Sequence, residues 1–188
     1  MKAIYNLPFA IHANRRAAAM RDIIATSAAL DIEPGRIEAL SDEERAEIEH
    51  EFAHYPFKQA ATIEALKIVQ KYQGWVSDGK VKAIAQLLEV SPDDVDGVAT
   101  FYNKIYRKPV GKTVLAVCDS VSCWVMGCEQ TIAYIGNKLN IVPGQTSSDG
   151  KYTLLPTPCL GACDKGPVMM LGEELVTNLT EEKLDKLL

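Results

Sequence analysis

Residues 113–123 read TVLAVCDSVSC, and residues 152–170 read YTLLPTPCLGACDKGPVMM. Each stretch opens with a short apolar run that predicts a buried strand, over 113–117 and 151–157. Each then runs directly into a pair of cysteines. Four residues separate Cys118 from Cys123, and three separate Cys159 from Cys163. If both strands belong to one sheet, the four thiols lie in two loops at the same kind of edge, where they can converge. Gly161 and Gly166 let the backbone of the second loop approach closely and turn tightly.

The elements around these pairs fit that placement. EQTIAYIGNKLN (129–140) predicts a helix, PVMML (167–171) a further strand, and TEEKLDKLL (180–188) a closing helix. Thr180 is positioned to cap the last helix, and Glu181 and Glu182 lie near its positive end. The order β-α-β-β-α is compatible with a thioredoxin-like α/β domain over residues 109–188. Upstream of RKPVGK the pattern is helical. SDEE at 41–44 is a capping box with Ser41 and Glu44, and its helix should reach His54, since Pro56 ends it nearby. KQAATIEALKIVQKYQG places Ile63, Leu66 and Val69 at helical spacing and stops at Gly74. SDGKVKAIAQLLEV puts Val81, Ile84, Ala85 and Leu88 on one face. SPDDVDGVATFY starts on Ser91 as cap with Pro92 at the first helical position. Four short helices with short links predict a small bundle over residues 41–108. The fold class is therefore α+β, a helical bundle followed by a thioredoxin-like domain. Residues 1–40 read as an N-terminal extension. Its first 21 residues are rich in arginine and lack acids, a composition that transit peptides share, and Met20 is a potential alternative start.

Composition narrows the function classes. The chain has 188 residues, 47% of them hydrophobic and 24% charged, as in soluble globular proteins. A net charge of −5 argues against nucleic acid as the main partner, because no basic stripe is available to neutralise phosphates. No apolar run approaches the roughly 18 residues of a membrane span. Five cysteines, an odd count, fit poorly with a secreted disulfide framework. In a reducing compartment, clustered cysteines more often bind metal or perform redox chemistry.

The spacing ranks the chemistries. An iron–sulfur cluster takes thiolates from irregular backbone whose amides are free to bond to sulfur. Structural zinc also takes four thiolates, usually through tighter C-x₂-C pairs, and ranks second. Two disulfides rank third, being disfavoured by compartment, and the C-x-x-C of a thioredoxin-type redox pair is absent. Cys128 lies five residues after Cys123, at the start of a helix, which predicts a free, partly buried thiol. Spacing by itself leaves it open as a ligand.

CDSVSC, LPTPCLGACDKGPVMM and DGVATFYNKI together resemble the thioredoxin-like [2Fe–2S] ferredoxin subunits of respiratory complex I. EALKIVQKYQGWVSDGKVKAIAQLLEV is similar to their helical N-terminal part. The resemblance runs from about residue 41 to 188. It implies one [2Fe–2S] cluster held by Cys118, Cys123, Cys159 and Cys163, with Cys128 outside the ligand set. It implies a one-electron carrier within NADH:quinone oxidoreductase, without a catalytic residue or NADH site of its own. NADH and FMN would bind a neighbouring subunit, and the partners would be that subunit and the iron–sulfur subunits of the peripheral arm. The location implied is the cytoplasmic side of the bacterial inner membrane, or the mitochondrial matrix in a eukaryote. Similar subunits of NAD-dependent hydrogenases and formate dehydrogenases are the alternative hosts.

Other features are read beside this. No G-x-G-x-x-G fingerprint follows a strand, and no P-loop is present. Lys165 is a candidate positive charge near the thiols, and Asp119 and Asp164 each follow a cysteine. Phe101 is expected in the bundle core, whereas Tyr102, Tyr106 and Trp75 are divided between core and partner-facing roles. EIEHEFAHYP (47–56) contains H-E-x-x-H, the two-histidine spacing of zinc proteases. A zinc protease needs a third ligand downstream and a cleft. The third histidine, His12, lies upstream, so the match is expected to carry no peptidase, with His50 and His54 solvated or partner-facing.

Overall fold

The computed structural model describes residues 37–188. The readings made for residues 1–36, including the potential alternative start at Met20, lie outside the described residues. Four helices come first: α1 (Asp42–Glu51), α2 (Thr62–Gln73), α3 (Asp78–Leu88) and α4 (Pro92–Phe101). The capping box forms as expected. The Glu44 amide donates to Ser41 Oγ at 3.1 Å, and the Ser41 amide donates to Glu44 Oε2 at 2.8 Å. Gly74 ends α2 at φ +80°, where a side chain would be strained. Ser91 caps α4, with Pro92 in its first turn. The first helix is shorter than expected. It gives way after Glu51 to a 3₁₀ turn, Phe52–His54, and Tyr55 is extended, the conformation Pro56 imposes on its predecessor.

The apolar faces of these helices close on one another. Ile48, Leu66, Val69, Val76, Ile84, Leu88 and Val95 are buried in one cluster, which Ile105 completes. The face predicted for α3 is buried at every position. On α2 the buried stripe is Ala65, Leu66, Ile68 and Val69, and Ile63 lies at its margin. Phe101, expected in this core, is instead 80% exposed. It is the last residue of α4. The chain leaves the helix at Tyr102, so the helical period that pointed Phe101 inward stops there.

The second half holds a four-stranded sheet of β1 (Thr113–Cys118), β2 (Tyr152–Thr157), β3 (Met169–Leu171) and β4 (Glu174–Val176), in the order β2-β1-β3-β4. β1 and β2 are parallel, and β3 and β4 are added antiparallel. A parallel pair needs a long crossover. Here it carries α5 (Val121–Val125) and α6 (Cys128–Leu139), and α7 (Glu181–Leu187) closes the chain. Leu115, Val117, Ile135, Leu154, Met169, Val176 and Leu184 form a second buried cluster. Two elements, α5 and β4, were not expected from the sequence. They span five and three residues, too few for a period to show. The halves meet where Asn103 Nδ2 donates to Thr157 Oγ1 at 2.8 Å, which fastens the segment after α4 to the end of β2.

Candidate metal centre

The parallel register decides where the cysteines go. Cys118 is the last residue of β1 and lies opposite Thr157, the last residue of β2. Both strands therefore leave the sheet at the same edge, and Cys159 follows two residues later. The edge is pinned by backbone bonds. The Cys118 amide donates to the Val168 carbonyl at 3.0 Å, and the Asp119 amide to the Thr157 carbonyl at 3.1 Å. Beyond β1 the chain turns into α5, so Cys123 stands on a short helix, whereas an irregular loop was expected. That helix orients Cys123 inward, and Val121, Trp124 and Val125 face outward. The second pair lies on a loop that turns at Gly161 (φ +83°) into a 3₁₀ turn, Cys163–Lys165. The Asn178 amide holds that turn through the Lys165 carbonyl at 2.7 Å.

The two cysteine pairs face one another. Cys159 Sγ and Cys163 Sγ are 3.3 Å apart, and the Gly161 amide points at Cys159 Sγ from 3.4 Å. The Cys118 and Cys123 thiols also contact each other. Across the site, Leu160 and Ala162 of the second loop pack against Cys118, Cys123 and Val168. Gly166 lies close against this site, since a Cβ there would stand 3.4 Å from Cys123 Sγ and 3.0 Å from Met126 Sδ.

The electrostatics differ from thiol to thiol. Burial is the strongest influence on Cys118 and would raise it. Hydrogen bonds from the Ser120 amide, the Cys123 thiol, the Leu160 amide and the Ser120 hydroxyl outweigh burial, and the thiol is lowered. Burial, then the neighbouring Cys118, pushes Cys123 up to about 11, against the Val168 amide. Cys163 is raised, first by its hydrogen bond with Cys159. Cys118 and Cys123 are buried, and Cys159 and Cys163 are exposed. The fifth thiol, Cys128, is fully buried rather than partly so, packed beside Cys118, Cys123 and Val168 at the start of α6. It is raised by burial first, then by the charges of Asp119 and Glu129.

Four thiols from two facing loops, with the Gly161 amide turned toward sulfur, are a donor set that fits an iron–sulfur cluster. The family model for thioredoxin-like [2Fe-2S] ferredoxins matches residues 48–188. The chain belongs to that family. Among its relatives, an NADH-quinone oxidoreductase subunit of Escherichia coli (strain K12) is 55% identical over 149 residues, covering 79% of this chain and 90% of that one. The corresponding protein of Pseudomonas aeruginosa is 48% identical over the same length. In structure, an NAD+-reducing [NiFe]-hydrogenase in its air-oxidized state matches with a TM-score of 0.54 at 19% identity. The match covers 69% of this chain and 21% of that chain, a likeness of fold. The α+β architecture expected from the sequence is thus the one observed.

Proposed function

We propose that this chain is the one-electron carrier subunit of an NADH:quinone oxidoreductase, with one [2Fe–2S] cluster held by Cys118, Cys123, Cys159 and Cys163. The observation that carries the reading is the convergence of the two cysteine pairs at one edge of the sheet, where β1 and β2 end in register and Leu160 and Ala162 pack against Cys118 and Cys123. A [2Fe–2S] cluster at these thiols supplies one-electron redox chemistry. The chain's own groups set the conditions for it. Amides from both loops stabilise negative charge on sulfur, and burial of Cys118 and Cys123 lowers the local dielectric on one side. Cys159 and Cys163 keep the other side open to the surface.

NADH and FMN are proposed to bind a partner subunit, because no nucleotide-binding signature accompanies the thiols. The docking face for that subunit is the apolar rim of the site: Val121, Trp124, Val125 and Met126 on and after α5 are all exposed. Exposed apolar groups gathered beside a redox centre are the composition of an interface core. Asn103 is fastened to the same sheet edge, and the exposed Phe101 and Tyr102 directly precede it. The division into a bundle at 41–108 and a cluster domain at 109–188 belongs to this reading, with the bundle serving as the second support for the partner. The peripheral arm of a membrane-attached complex, on the cytoplasmic side in a bacterium, is the corresponding location. Among the described residues no helix is long and apolar enough to cross a membrane. The Cys159→Ser variant tests the reading: it should lose the cluster's visible absorption, and a spectrum unchanged from wild type would refute the ligand assignment.

A further inference from the structure

The H-E-x-x-H stretch remains outside this function, and the fold gives it a definite geometry. His50 and Glu51 close α1, and His54 sits in the 3₁₀ turn that follows. The helix and turn keep all three side chains on one side. Glu51 Oε2 lies 3.4 Å from His54 Nδ1, and Glu51 Oε1 lies 4.0 Å from His50 Nδ1. The two rings meet edge to face with centroids 5.5 Å apart. One donor atom from each of the three residues falls within 4.8 Å of the others. The imidazoles are open to solvent, with side chains 76% and 58% exposed. Lys67, the nearby cation, is engaged by Glu64 at 2.8 Å, which leaves the Glu51 carboxylate to the histidines.

We propose that His50, Glu51 and His54 form a surface site for a divalent transition-metal ion of the zinc class. Two imidazoles and a carboxylate are the donor set that zinc accepts, with bonds of roughly 2.0–2.2 Å. A tetrahedral ion at those lengths needs its donors roughly 3.3–3.5 Å apart. The Glu51–His54 separation is already in that range, and rotation of the exposed His50 ring closes the remainder. In a zinc protease the glutamate of this motif is the base. Here it is the third ligand, and among the described residues no walled cleft surrounds the imidazoles, so the site binds without hydrolysing. Water or a donor from a docked partner takes the open position. The bound ion ties the last turn of α1 to the 3₁₀ turn and so fixes the exit of the helix before Pro56.

The test is a calorimetric titration of ZnCl₂ into the full chain carrying its native cluster, with metal counted after desalting. The visible spectrum is followed to exclude displacement of iron. Wild type should hold one more zinc ion per chain than His50→Ala/His54→Ala. Glu51→Ala should bind that ion at least about tenfold more weakly. Circular dichroism should show all variants folded, since the three side chains lie outside the core. Equal zinc stoichiometry and affinity in wild type and the double variant would overturn the site. An unchanged affinity in Glu51→Ala would overturn the three-ligand assignment.

Discussion

Replacing Lys80 with methionine isolates one buried contact that holds the bundle together. The Lys80 and Glu44 side chains are only 5% and 2% exposed. Lys80 Nζ donates to Glu44 Oε2 at 2.6 Å and to the Ala39 carbonyl at 2.8 Å. Glu44 is also the capping residue of α1, so this ion pair joins the start of α1 to α3. Methionine keeps the length of the lysine stem and deletes the ammonium. It strands a buried carboxylate with the Ser41 amide as its remaining donor, and it leaves the Ala39 carbonyl short of a partner. Breaking such a pair from one side costs about 3–5 kcal/mol. For a chain of this size each kcal/mol shifts Tm by roughly 2–4 °C, so Lys80→Met should melt about 6–20 °C lower by differential scanning calorimetry. Adding Glu44→Gln should recover part of the loss, because the stranded charge is then gone. Lys71→Met removes the exposed pair with Glu47 and should move Tm by less than about 4 °C. A Lys80→Met protein that melts with wild type would refute the premise that this pair is dry and structural.

Gly97 lies exposed within α4, and a Cβ there meets nothing within 4 Å, so Gly97→Ala should stabilise the chain by about 0.5–1 kcal/mol without altering cluster content. Denaturant titration checks the first outcome and iron analysis the second. Gly166→Val, in contrast, pushes on Cys123 Sγ and Met126 Sδ and should lower iron and sulfide per folded chain. Trp124→Ala should weaken association with the proposed NADH- and FMN-binding subunit by about 2 kcal/mol, roughly thirtyfold in Kd, with the cluster spectrum intact. Asp185 is held below the usual carboxylate range, first by Lys138 and then by the Tyr134 hydroxyl. Its contribution is therefore present above the unfolded carboxyl value and is lost as pH falls through the lower folded value. The Tm difference between wild type and Asp185→Asn should shrink to nothing in acid, as melts across a pH series would show.

The architecture was legible wherever local chemistry left a long enough trace. Ser41 with Glu44, Ser91 with Pro92, and Gly74 each marked a helix end that the structure reproduces. The β1 and β2 runs, each followed by a cysteine pair, located the thiol edge, because a parallel register brings both exits to one side of the sheet. What escaped was short or depended on a partner. Five residues of α5 carry too little period to announce a helix, yet that helix turns Cys123 inward and Trp124 outward. Phe101 has the spacing of a core residue, but spacing cannot show that the helix ends there and leaves the ring exposed. The packing of Leu160 against Cys118 depends on how two distant loops meet, and no local pattern encodes it.

The central claim is that four particular thiols hold one two-iron cluster. The most direct test is electron paramagnetic resonance of the dithionite-reduced chain, with iron and sulfide counted, across wild type, Cys159→Ser and Cys128→Ser. Two irons and two sulfides per chain with one reduced-state signal are expected in wild type and Cys128→Ser, and loss of both in Cys159→Ser. A full signal in Cys159→Ser, or its loss in Cys128→Ser alone, would contradict the account.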